Sequence, residues 1–284
     1  NLLVPQYELK LYKNNGNTFE DVSKAAGIDR TGFPNAVSAS DINNDGWPDL
    51  YVANDFYAPD FLFLNNQDGT FSSIEKSALK QTSYYSMGVD VADINNDQNL
   101  DVFVLDMVSE DNFRLKSNMS GMNIDSFWKV VEDGGGYQYM YNTLQLNNGN
   151  ETFSNIAQFT GMAATDWSWS NLITDFDNDG LKDTYVTNGL LRDIRNTDAD
   201  KNVANYINTT RAQWLQKNPR AKNIKSIWDI VDLEKAVGMV PSQPLKNYAY
   251  QNLGDLEFKN RSNDWGLDEE SFSNGSAYAD LDND

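Results

Sequence analysis

The chain has 284 residues, with 42 acidic against 22 basic side chains, a formal charge of −20, and neither histidine nor cysteine. That balance argues against nucleic acid or an anionic membrane as partner, and the missing residue types exclude disulfides, thiol or imidazole catalysis and zinc–thiolate sites. At 40% hydrophobic and 12% aromatic residues, there is material for a packed core.

Residues 7–22 read as a β-hairpin: an alternating run, Tyr7-Glu8-Leu9-Lys10-Leu11-Tyr12, then an Asn14-Asn15-Gly16-Asn17 turn, then a return strand from Thr18. The same module recurs at residues 61–71, 143–153 and 248–258. Between hairpins, a short strand of small residues (36–40, 87–92, 170–174) enters an acidic loop, and a strand rich in β-branched and aromatic residues leaves it. Strand, loop, strand, hairpin gives four strands per repeat, which is the content of one propeller blade.

The acidic loop is the sharpest signal. Asp41, Asn43, Asp45 and Asp49 put side-chain oxygens at its first, third, fifth and ninth positions, with the Trp47 carbonyl available at the seventh. Asp93, Asn95, Asp97, Asn99 and Asp101 repeat the spacing, as do Asp175, Asp177, Asp179, Leu181 (by its carbonyl) and Asp183; a fourth copy opens with Asp280, Asp282 and Asp284. Calcium takes six to eight oxygens, and alternate side chains of a short loop can supply them. An EF-hand would need glutamate at position twelve; here that position is Val52, Val104 or Val186, each in an expected strand. Gly46 and Gly180 suit the tight turn at position six, whereas Gln98 in the second copy would have to take a backbone conformation that side chains resist. The third loop, with four carboxylates, is expected to bind most tightly.

The motif starts lie 52, 82 and 105 residues apart, so the later intervals carry insertions on a repeat of about 50. The first, residues 106–140, is expected to be mixed, with a short helix over 125–131 before the break at Gly134-Gly135-Gly136. The second, residues 190–246, takes a helical period: Val203, Ile207, Trp214 and Leu215 share one face, Pro219 ends the segment, and residues 227–237 form a second apolar stripe. No apolar run reaches the roughly eighteen residues of a membrane span. Because the last motif is cut short at Asp284, the sequence is expected to be part of a longer chain.

These loops resemble the FG-GAP and VCBS repeats of integrin-like β-propellers. Residues 165–170 (Thr-Asp-Trp-Ser-Trp-Ser) followed by the 175–180 loop look like bacterial relatives of cartilage acidic protein, the ASPIC/UnbV type. The resemblance implies an all-β fold: a β-propeller with about four four-stranded blades represented, part of a seven-bladed ring, carrying structural Ca2+ and a helical insertion. It also implies an extracellular or cell-surface location, outer-membrane-associated if bacterial. The expected function is a binding, adhesion or surface-complex scaffold for a protein or glycan ligand, such as a subunit of an outer-membrane uptake complex. Trp167, Trp169, Trp128 and Trp214 are its candidate ligand-binding aromatics; core packing is the competing reading for Trp167 and Trp169. The alternative function is a calcium-assisted polysaccharide lyase or glycosidase, for which no unassigned carboxylate pair stands out.

Overall fold

The computed structural model describes residues 7–56, 58–118, 122–219 and 226–281. Three antiparallel four-stranded sheets follow one another along the chain. Sheet one comprises Pro34–Ser40, Asp49–Asn54, Phe61–Asn65 and Phe71–Ser73. Sheet two comprises Val89–Ala92, Asp101–Val104, Thr143–Asn147 and Phe153–Asn155. Sheet three comprises Ser168–Thr174, Asp183–Asn188, Tyr248–Asn252 and Phe258–Asn260. Each pairs its strands in sequence order, so every connection is a local turn or an insertion.

Registers agree from sheet to sheet. The ninth loop residue opens the second strand opposite the last residue of the first: Ser40 faces Asp49, Ala92 faces Asp101, and Thr174 faces Asp183. Alternation then sorts the second strand between two interfaces. Tyr51 and Ala53 of sheet one meet Val102 and Val104 of sheet two in one apolar cluster. Phe103 and Leu105 point the other way and join Ile173, Val186 and Tyr250 of sheet three in another. The strand Asp101–Val104 is therefore buried throughout. Full burial of Phe103 alone contributes roughly 2–3 kcal/mol.

Three sheets of four strands are complete among the described residues. The hairpin Tyr12–Asn14/Phe19–Asp21 forms a separate two-stranded sheet. Tyr7–Glu8 also leaves the expected hairpin: it pairs with Thr31–Gly32, and the Leu9 amide donates to the Arg30 carbonyl (2.9 Å). No closed barrel or propeller ring forms among the described residues.

Antiparallel order puts the acidic loops and the hairpin turns at one end of the sheets and both insertions at the other. The first insertion carries helices Asn112–Asn118 and Ile124–Glu132, the latter capped by the Asn123 side chain accepting from the Ser126 amide. The second holds helix Thr197–Lys217, capped by Asn196 and stopped just before Pro219, and the short helix Leu233–Gly238. Lys235 lies over the Tyr206 ring at 4.9 Å and ties these two helices together.

Candidate functional site

The three complete acidic loops have one geometry. Position one accepts two amides: Asp41 from Asp45 and Gly46 (2.9 and 2.8 Å), Asp93 from Asp97 and Gln98 (3.0 and 2.8 Å), Asp175 from Asp179 and Gly180 (3.1 and 2.8 Å). Position five accepts the amide of position seven, so Trp47, Asn99 and Leu181 are each drawn in by an aspartate two residues back. Position nine is buried, and its carboxylate joins the loop to the sheet. Asp49 accepts from the Ile42 and Asn65 amides, Asp101 from Ile94 and Asn147, and Asp183 from Phe176 and Asn252.

Side-chain amides reach into the loops from the neighbouring strands and turns. Gln67 Nε2 donates to Asp45 at 3.2 Å, and Gln251 Nε2 to Asp177 at 2.6 Å. Gln98 takes the left-handed conformation of its glycine counterparts, with φ of 71° against 87° for Gly46 and 90° for Gly180. The second loop thus keeps the shared path and carries strain in place of glycine.

Burial pushes up the carboxyls of position nine: Asp49 is raised, and Asp101 and Asp183 are raised to about 6, with the neighbouring loop aspartates adding to the effect. In the third loop, carboxylate oxygens of Asp175, Asp177 and Asp183 lie within 4.8 Å of one another, so this cluster could hold a metal ion. Hard oxygen donors at that spacing, with no nitrogen or sulfur among the side chains, fit a hard divalent cation. In the fourth copy, Asp280 is exposed and Asp282 and Asp284 lie outside the described residues.

The candidate aromatics are dispersed. Trp167 is buried in the core between sheets two and three; Trp169 packs against that core and donates from Nε1 to the Gly189 carbonyl at 2.7 Å. Core packing, not a free ligand face, describes both. Trp128 is half exposed beside Phe127, with ring centroids 5.3 Å apart, and Trp214 is partly buried on helix Thr197–Lys217. No common surface made of the four is formed.

Position four escaped the sequence reading because its side chain is not an expected ligand. Asn44, Asn96 and Asn178 all adopt positive φ, which asparagine tolerates. Asn44 Nδ2 donates to the Gln98 carbonyl and Asn96 Nδ2 to the Gly180 carbonyl, both at 3.0 Å, so each loop grips the next. The only sequence signal was asparagine at that place in every copy.

At the opposite end, Arg114 of the first insertion makes a two-pronged contact with Asp166 (2.6 and 2.7 Å) and approaches Asp193 of the second insertion at 3.8 Å. With its amide turned so that the nitrogen faces Asp193, Asn118 bridges the same groups, donating to Asp193 and accepting from Arg114 Nη2. Sheet three and both insertions are thereby fastened at one buried point.

No curated protein matches the chain. A solved structure described as the structural basis of specific recognition of non-reducing terminal N-acetylglucosamine by an Agrocybe aegerita lectin is similar at 16% identity and a TM-score of 0.32, over 62% of this chain and 40% of that one. The chain thus spans less than half the length of that protein. Residues 2–52 and 41–104, which contain the first two loops, match the family described as FG-GAP-like repeat.

Proposed function

We propose that the protein is a calcium-stabilised, extracellular or cell-surface scaffold of β-propeller type that acts by binding a protein or glycan ligand. The observation that carries this reading is the convergence of Asp175, Asp177 and Asp183 within 4.8 Å, in a loop whose geometry is repeated twice more in register. Bound calcium supplies the positive charge that these like-charged carboxylates lack. The chain's own residues do the rest: position nine anchors the loop to the sheet, position one holds the turn closed, and position five brings the seventh residue inward. Millimolar calcium outside cells suits such sites, which is the ground for the proposed location. The repeats of the FG-GAP family and the lack of any His or Cys support binding over catalysis.

Thermal unfolding in calcium and in chelator tests the proposal. At ten times its dissociation constant, each occupied site adds about 1.4 kcal/mol, so three sites raise the melting temperature by several degrees. A melt that is the same in calcium and in chelator overturns it.

A further inference from the structure

A cavity of about 410 Å³ lies where the segment following the outer strand of sheet one meets the first insertion, and none of its lining residues belongs to an acidic loop. Leu79, Val131 and the ring of Tyr137 form its apolar lining, and Lys76 and Lys80 supply its positive charge. The walls are joined by backbone: the Thr82 amide donates to the Tyr137 carbonyl (3.0 Å), and the strands Thr82–Ser83 and Gln138–Tyr139 run parallel beside it.

Three features point to an anionic occupant. Among the described residues, neither Lys76 nor Lys80 has a carboxylate within 4.0 Å, although acids outnumber bases 42 to 22. The one carboxylate in the lining, Glu75, is taken by Arg30 (3.3 Å) and by the Ser73 hydroxyl. Lys76 Nζ sits over the glycine break, 3.6 Å from where a Cβ on Gly134 would stand, so the missing side chain leaves its ammonium group at the mouth. Thr82 also lines the cavity, its own hydroxyl being buried.

We propose that this cavity binds a carboxylate-bearing sugar, of uronic-acid type. The two lysines meet the carboxylate, and the exposed Tyr137 ring covers the apolar face of the pyranose. The inference rests on the reading of the protein as a binding module. It does not rest on calcium in the loops, so the chelator melt and the titration below fail separately.

The test is calorimetric titration of the full chain, in calcium, with digalacturonate, the neutral galactose disaccharide and a triglutamate peptide. Digalacturonate is expected to bind at least about tenfold more tightly than either of the others, and more weakly as salt rises. Replacing both lysines (Lys76→Gln with Lys80→Gln) is expected to lower its affinity at least about tenfold, with the melting temperature unchanged because both side chains are exposed. The proposal is overturned by absence of digalacturonate binding, by equal affinity for the neutral disaccharide or the peptide, or by binding that survives the double substitution; the last assigns the sugar acid to cations in the loops.

Discussion

The Asn147 side chain donates from Nδ2 to the Ile42 carbonyl at 2.9 Å, joining sheet two to the loop of sheet one across 105 residues of sequence. Asn252 makes the same bond to the Ile94 carbonyl at 2.8 Å, one sheet further on. Each asparagine also donates to the carbonyl just before its own position-nine aspartate, Leu100 or Lys182. Asn65 Nδ2 makes only that second bond among the described residues, to the Pro48 carbonyl. Asn147→Ala should therefore cost about 2–3 kcal/mol and Asn65→Ala about 1 kcal/mol, since only the first orphans a buried carbonyl. Urea unfolding of the two variants measures the difference; equal costs would show that the inter-sheet bond adds nothing.

Arg114 should be the residue that couples the two insertions. Its guanidinium is 15% exposed, and its partners Asp166 and Asp193 are 9% and 2% exposed, so its removal leaves two buried carboxylates facing each other. Arg114→Met is expected to cost about 3–5 kcal/mol. Adding Asp166→Asn should recover part of that, because asparagine also suits the positive φ of 68° at this position. A double-mutant cycle by chemical denaturation checks both points, and a loss below about 1 kcal/mol would mean the contact is solvated.

The loops and hairpins could be read from sequence because oxygen-bearing residues recur at fixed offsets and the flanking strands alternate. Both insertions were legible as breaks in that period, and Pro219 marked a helix end that the structure places at Lys217. What escaped depended on distance. Nothing local distinguishes Tyr7–Glu8 as a partner of Thr31–Gly32 from a continuation of its own hairpin. The position-four asparagines looked like turn residues until the next loop was placed beside them. Trp167 and Trp169 carry the same residue type as a sugar platform; only the neighbouring sheet decides that their faces are covered.

The second loop offers a local gain. Gln98 makes no side-chain hydrogen bond among the described residues, and its carbonyl, which accepts from Asn44, is retained in any variant. Gln98→Gly relieves a left-handed backbone at φ 71°, and after the higher chain entropy of glycine is counted the expected gain is about 0.5–1 kcal/mol. Melting temperature in chelator reads this directly. A fall would mean that the shared loop path carries no strain.

Asp60 should make stability depend on pH in a way its counterpart does not. It is fully buried beneath sheet one, accepting from the Tyr51 hydroxyl and the Asn54 amide, both at 2.8 Å, and burial pushes its carboxyl up to about 7. In sheet three the same place holds Asn247, whose Oδ1 accepts from the Asn188 amide and whose Nδ2 donates to the Tyr185 hydroxyl. The fold thus already accommodates the amide beside a tyrosine. The folded chain keeps the Asp60 proton up to about pH 7 and the unfolded chain only to about 4, so folding takes up a proton in between. The contribution of this group is whole below about pH 4 and is lost as pH rises through 7, a swing on the order of 4 kcal/mol. Asp60→Asn removes the titration, so the variant should gain stability relative to the wild type steadily from pH 4 to 7 and hold that gain above it. Paired urea unfolding across this range measures the difference directly, cancelling the titration of carboxylates that do not interact with Asp60. A constant difference would show that Asp60 is ionised in the folded protein throughout.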